Sequence, residues 1–385
     1  MPDLPAQPSA AFHDGRDWCV CTTPSRRWRV DAPDSTALSA LAREATEALG
    51  GRDSGRLLTG MLAYDAGAAF HGAASVRRSA APVAVLHLYE AEALTRLPAL
   101  APALPRDAAR FHMTRPFQPD WQASDYAAAI ARVQDYLRAG DCYQVNLAQR
   151  FVGRYQGSPW AGWQQLLAAH PAPHASYMDC GDMQVFGVSP ERFLRIRGRT
   201  LLTEPIKGSR PRGQTPGEDQ QLGEQLQQSL KDRAENLMIV DLLRNDLGQV
   251  AETGSIHASP LFELRRFSNV QHLVSSVHGR LREDISPLAA LLACFPGGSI
   301  TGAPKRRAME IIAELEGAPR GFYCGSFFWQ DARGHLDSTI LIRTLQCQEG
   351  EIVCHGGGGI VHDSDPEQEY QESLFKVEKL MAALG

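Results

Sequence analysis

Apolar positions along the chain recur with two periods. Tyr126, Ile130, Val133 and Leu137 fall at helical spacing, with Ser124 placed to cap the start and Gly140 to end the run. A longer helical pattern spans about 218–247, where Leu222, Leu226 and Leu230 lie four apart. Pro304 opens another helix, with Gly317 past its end, and a last one starts at Asp365-Pro366 and runs to the C-terminus. Other stretches read as strands. YQVNLAQRFVGRY alternates, ASYMDCGDMQVFGVSP and RFLRIRGRTLLTEPI are joined by Gly and Pro turns, and GFYCGSFFWQ, STILIRTLQCQ and EIVCHGGGGIV follow. Neighbouring strands with short turns, and helices grouped apart from them, predict an α+β fold with antiparallel sheet.

Texture divides the chain. Residues 1–95 are rich in Ala and Arg and hold few motifs. Residues 96–120 carry Pro98, Pro102, Pro105, Pro116 and Pro119, which predicts a linker or an extended crossing segment. Residues 121–385 hold every motif discussed below, and no repeat of fixed period is present. Lys and Arg number 39 against 44 Asp and Glu, a net charge of −5, so no bulk electrostatic case exists for nucleic acid. Any anion site must be local. The N-terminus shows no basic segment followed by an apolar stretch, and no run approaches the roughly 18 apolar residues of a membrane span. The eight cysteines are scattered without a C-x-x-C pair. These features predict a cytoplasmic chain with free thiols and no membrane partner.

Candidate chemistry begins with acids. Glu369 and Glu372 stand three apart in the last helical pattern, as do Asp232 and Glu235 in the longer one. Each pair reads either as a solvated acidic face or, with Glu235 and Glu372 meeting across a cleft, as a Mg²⁺ site. No His/Cys cluster has zinc spacing. FPGGSITGAPK sets a Gly-rich turn before a helix, a ready anion site, but Ala303 stands where a nucleotide-binding loop requires Lys. The run Gly356 to Gly359 reads as a close anion approach or as a tight turn. Lys207, in PIKGSRPRG, is either an exposed turn lysine or a pocketed amine able to act as a nucleophile, with Arg210 and Arg212 near. Strand alternation puts Arg343 on one face with Leu341 and Thr339, where it needs an anion: a carboxylate ligand or an internal acid. His272 reads as a core histidine unless a site claims it.

PIKGSRPRG, KDRAENLMIVDLLRNDLG, FPGGSITGAPKRRAMEII, STILIRTL, GGGGIVHDSD and EQEYQES, in this order and spacing, resemble the chorismate-utilising enzymes. That family includes anthranilate synthase component I, aminodeoxychorismate synthase component I, and the isochorismate and salicylate synthases. The resemblance covers roughly residues 120–385 and little of 1–95. It implies large antiparallel sheets flanked by helices. It implies that Glu235, Glu369 and Glu372 bind Mg²⁺ and that Arg343 holds a chorismate carboxylate. Tyr323, Gly208, Ser209, Thr301, Gly357, Gly358, Gly359 and Gln144 match substrate-contacting positions, and His272 an active-site histidine. Glu191, in SPERF, matches the candidate general acid.

Two positions separate the branches by resemblance. Water-using members carry a lysine where this chain has Gln144, which implies ammonia as nucleophile. Anthranilate synthases carry alanine where this chain has Lys207, whereas aminodeoxychorismate synthases carry lysine. Ser209 replaces the more usual threonine. The implied reaction is chorismate plus ammonia to 4-amino-4-deoxychorismate through a Lys207 adduct, on the path to p-aminobenzoate and folate; anthranilate synthesis is the alternative. No cysteine sits in a glutaminase-type elbow, so a partner glutamine amidotransferase is expected to deliver the ammonia.

Overall fold

The β-branched and aromatic runs pair into two large sheets and one small one. The computed structural model describes residues 7–72, 79, 81–99, 110–267 and 270–385. The first sheet runs, in spatial order, through Gly302–Ala303, Gln144–Gln156, Glu351–Ile360, Thr344–Gln348, Gln184–Ser189, His174–Asp179, Ala10–His13, Trp18–Cys21 and Leu94–Leu97. The second runs through His257–Ala258, Val277–Arg280, Thr200–Thr203, Arg192–Arg197, Leu336–Ile340, Ser326–Asp331, Leu57–Leu62, Ala84–Tyr89 and Arg26–Val30. Ile206–Pro211, Val270–Val274 and Glu263–Arg266 make the third. Neighbouring strands within each sheet are antiparallel, so the expected α+β class with large antiparallel sheets is borne out.

The two large sheets meet face to face. Phe12 of the first packs on Phe327 and Trp329 of the second, at centroid distances of 5.4 and 5.9 Å. Trp160, Trp163 and Tyr177 pack together in a separate core where the helices Pro159–Ala169 and Pro366–Leu384 cover the first sheet. Each such buried aromatic contributes roughly 2–3 kcal/mol. Strands from before residue 95 lie in both large sheets beside strands from after residue 121. Of the Pro-rich stretch, Pro102 and Pro105 fall outside the described residues. Pro116 and Pro119 lie in the strand His112–Pro119, whose pairing with Gln144–Gln156 shifts register on either side of Arg115.

Several elements depart from the sequence reading. Helix Ala123–Ala139 is capped by Gln122, in a reciprocal box with Asp125, and Ser124 falls inside it. A side chain at the third helical position can return a bond to the cap, which Ser124 at the second cannot. Gly140 does end the helix, in the left-handed region. The pattern at 218–247 is two helices, Pro216–Gln228 and Leu230–Gly248. Ser229 closes one and opens the next, accepting the Asp232 amide at 3.2 Å. STILIRTLQCQ is also broken. Leu336–Ile340 belongs to the second sheet and Thr344–Gln348 to the first, with Arg343 between them at φ 52°. The four glycines 356–359 are neither a turn nor a loop but the end of the strand Glu351–Ile360. The last helix crosses them so closely that a Cβ on Gly356 would sit 2.2 Å from the Ser373 carbonyl oxygen.

Three chain crossings between sheets carry the chemistry-bearing residues. Pro190-Glu191 joins Gln184–Ser189 of the first sheet to Arg192–Arg197 of the second. Glu204-Pro205 leads from the second sheet into the third, directly before Lys207. Leu341 to Arg343 returns from the second sheet to the first.

Candidate active site

A cavity of about 420 Å³ opens where these crossings meet the helices Leu230–Gly248 and Pro366–Leu384. That volume suits a small-molecule site. Glu191, Lys207, Gly208, Ser209, Glu235, His272, Tyr323, Arg343, Gly357, Gly359, Glu369 and Glu372 all line it. Thr301, Gly358 and Gln144 do not. The Thr301 hydroxyl turns inward and donates to the Gly297 carbonyl at 3.1 Å.

Lys207 owes its direction to a bulge. The pairing of Ile206–Pro211 with Val270–Val274 shifts register between Lys207 and Ser209, and the residue between them, Gly208, has φ 77°. A Cβ there would meet Leu226 at 2.8 Å and Asp232 at 3.0 Å, so glycine is required on both counts. Burial lowers the Lys207 pKa, and Lys376 lowers it further, against the opposing pull of Glu235, Glu191 and Glu372. Gly359 leaves the space beside it open. A Cβ on Gly359 would lie 3.3 Å from Lys207 Nζ and 2.8 Å from Gln144 Nε2. That Gln144 nitrogen is buried and has no partner among the described residues.

Glu191 is buried at 6 % exposure, and burial pushes its carboxyl up to about 7. It accepts a hydrogen bond at Oε1 from Ser299 Oγ, 2.8 Å away. His272 is buried as well, and desolvation with the nearby Arg343 charge drives it down to about 4, so its ring is neutral at pH 7. Its Nδ1 lies 2.8 Å from Ser209 Oγ, while its Nε2 has no partner among the described residues. Arg343 is half-buried, and desolvation lowers its pKa. Among the described residues its guanidinium has no ion pair or side-chain hydrogen bond. Tyr323 stacks on His355 at 4.8 Å and 10° and lies under the Arg320 guanidinium.

The carboxylates form an open set. A Cβ on Gly358 would lie 3.1 Å from Glu369 Oε2 and 3.6 Å from Glu372 Oε1, so both acids of the last helix converge above that glycine. Burial raises the Glu235 and Glu369 carboxyls, a cost that a bound cation would offset. Burial pushes Glu372 up too, but Lys376, 2.6 Å from it, carries it below its ordinary value. Among the described residues no three His, Cys, Asp or Glu gather tightly enough to cage a metal. An open set fits Mg²⁺, which keeps waters and takes substrate oxygens, and does not fit a closed structural site.

Among the wall residues that escaped the sequence reading are Lys376, Ser299, His355 and Asn146. Lys376 could have been found as the partner four residues after Glu372. Ser299 sits in the Gly-rich motif but had no signal of its own. The wall is cationic at Lys207, Arg210, Lys231, Arg343 and Lys376, of which Arg210 pairs with Asp232, Lys231 with Glu235 and Lys376 with Glu372, and it offers an acid at Glu191.

No helix among the described residues is long and apolar enough to cross a membrane, and all eight cysteines are buried and unpaired. Aminodeoxychorismate synthase component 1 of Klebsiella aerogenes is 46% identical over 277 residues, 72% of this chain and 61% of the relative. Anthranilate synthase component 1 of Cereibacter sphaeroides is 40% identical over 283 residues, 74% of this chain and 57% of the relative. The chain thus spans about three fifths of the length of the curated relatives it matches. The crystal structure of anthranilate synthase component I from Streptococcus pneumoniae TIGR4 superposes with a TM-score of 0.80 at 25% identity, covering 96% of this chain and 93% of that one. The sequence profile of the chorismate binding enzymes matches residues 8–382, nearly the whole length, and the chain belongs to that family.

Proposed function

We propose that the chain converts chorismate and ammonia to 4-amino-4-deoxychorismate, as aminodeoxychorismate synthase component I. The observation that carries this is a pair of cations that face the cavity without a salt-bridge partner among the described residues. Among the described residues Arg343 has no acid of its own, and burial presses Lys207 toward its neutral form beside Gly359. An unpaired guanidinium calls for a carboxylate ligand, and an amine of lowered pKa serves as a nucleophile. Chorismate is a dicarboxylate with a leaving hydroxyl at C4.

In the proposed sequence Arg343 grips one carboxylate, and Tyr323 and His272 border the ring. Lys207 Nζ bonds to C2, the ring double bonds shift, and the C4–O bond breaks. Glu191, held up to about 7, gives its proton to the departing hydroxyl, which leaves as water. Ammonia then bonds to C4 and the C2–N bond breaks, returning Lys207 as a neutral amine. The new C4 ammonium gives a proton back to the Glu191 carboxylate. Glu235, Glu369 and Glu372 would hold Mg²⁺, whose chemistry is to offset the charge of the bound ring carboxylate. The pyruvyl group stays on the ring. Ammonia is delivered by a glutamine amidotransferase partner, and ammonium salts replace it in vitro.

The test is the mass of the product formed from chorismate, Mg²⁺ and ammonium chloride. Aminodeoxychorismate is expected; fluorescent anthranilate with released pyruvate would instead establish the second reading, which the Cereibacter relative favours. Lys207→Ala should abolish a trapped enzyme–substrate adduct and cut aminodeoxychorismate formation by roughly a hundredfold or more. An unchanged rate would eliminate Lys207 as nucleophile.

A further inference from the structure

Glu191 must present one particular oxygen to the leaving group, and its own strand does not fix which. Its backbone is tied down: the Glu191 carbonyl accepts from Thr339 Oγ1 at 2.7 Å and from the Ile340 amide at 3.1 Å. Its carboxyl is gripped separately, by the Ile206 amide and by Ser299. Ser299 comes from a loop 108 residues further along the chain. That loop is rigid for its own reasons. Asp246 takes the Gly298 amide and Lys305 Nζ, the latter at 2.7 Å, and Lys305 also donates to the Cys294 carbonyl at 3.2 Å. Thr301 spends its hydroxyl on the loop's own carbonyls. Ser299 alone points its hydroxyl out of the loop, into the cavity wall.

We propose that Ser299 is a positioning residue for Glu191: its hydroxyl fixes Oε1 as an acceptor and leaves Oε2 to carry the proton given to the departing hydroxyl. The inference rests on the general-acid reading of Glu191. A carboxylic acid has one protonated and one accepting oxygen, and a hydroxyl donor at Oε1 selects between them. The same bond favours the ionised form, and so restrains the upward push of burial. The charged and titratable groups facing Glu191 are Lys207 from the third sheet, Lys376 from the last helix and the Cys324 thiol. Burial pushes that thiol up to about 12, so it stays neutral. Losing the Ser299 bond should then raise the pH at which Glu191 gives up its proton.

The experiment follows chorismate consumption by the full chain with Mg²⁺, across pH at constant free ammonia, whichever product forms. Ser299→Ala is expected to lower kcat roughly tenfold with little change in KM, and to move the descending limb of the profile upward by about one pH unit. Ser299→Thr, which keeps a hydroxyl, should restore both. An unshifted limb in Ser299→Ala, or a loss of activity that Ser299→Thr does not repair, would overturn the proposal. Glu191→Gln separates the two levels. If it retains the wild-type rate, the general-acid reading falls and the Ser299 role with it. If it is inactive while Ser299→Ala keeps an unshifted limb, only the Ser299 role falls.

Discussion

Two charged clusters lie back to back in this molecule, with Pro190 and Ile206 forming part of the wall of each. On one side are Lys207, Arg343 and the acids of the candidate active site. On the other, Arg192 holds Asp337 through two hydrogen bonds of 2.9 and 3.2 Å and also bonds Glu204. Glu204 in turn takes Arg265 at 2.7 Å. Both clusters border pockets, and both are desolvated. They differ in satisfaction. Each cation of the second cluster has its acid, whereas Arg343 has none among the described residues. A desolvated charge without a partner is costly, so its presence marks a place where the missing counter-charge arrives from outside.

The largest expected effect comes from removing one arginine on each side. Arg343→Ala should lower kcat/KM for chorismate by roughly a thousandfold, the loss of a charged two-pronged contact. Its unfolding midpoint in urea should stay where it is or rise, because an uncompensated charge has gone. Arg192→Ala should do the reverse to stability, costing about 3–5 kcal/mol by stranding Asp337 and Glu204. If Arg343→Ala unfolded as readily as Arg192→Ala while retaining activity, the two clusters would be of one kind.

A smaller effect separates the clusters by pH. His272, on the open side, sits at about 4 in the folded chain against 6.5 ordinarily. Below pH 6.5 the unfolded chain binds its proton and the folded chain does not. Stability therefore falls as pH drops from 6.5 toward 4, by about 1.4 kcal/mol per pH unit for one such group. Glu204, on the paired side, acts in the same direction but in a lower window. Burial pushes it up, but Arg192 and Arg265 hold it below its ordinary 4.5, so its contribution is lost only as pH falls through that lower value. His272→Gln should remove part of the slope between pH 6.5 and 5 in urea titrations. Glu204→Gln should leave that window's slope intact.

Sequence reasoning reached these clusters unevenly. The last helix was legible because Asp365 caps it and Pro366 opens it, both local signals. The strand Gln144–Gln156 was legible from alternation alone. Arg343 was placed on a strand face because STILIRTLQCQ keeps its period of two across the break, and nothing local marks a change of sheet. The split at Ser229 was hidden in the same way, by leucines that stay four apart through it. Glu191, Lys207 and Arg343 meet because three separate chain crossings converge, which spacing cannot encode. Motif order supplied that convergence by resemblance. Ser299 was missed because its partner Glu191 is distant in sequence, whereas Lys376 carried a local signal in Glu372, four residues before it.

The smallest effect tests whether satisfaction, rather than charge count, distinguishes the clusters. Arg265 bridges two acids, Glu204 inside and Glu263 outside, both at 2.7 Å. Equal distances would suggest equal worth. Glu263, however, is 45% exposed against 10% for Glu204. Water screens the outer pair and holds its carboxylate nearly as well when the arginine is absent, so Glu263→Gln should change stability by less than about 0.5 kcal/mol. Raising salt to about 1 M shortens the screening length to roughly 3 Å and should erase even that difference. Glu204→Gln, at the same distance from the same guanidinium, should cost several times more at any salt, because it also strips an acid from the largely buried Arg192. Comparable losses from the two variants would mean that geometry alone sets the worth of a charge here, and that Arg343's lack of an acid says nothing about a ligand.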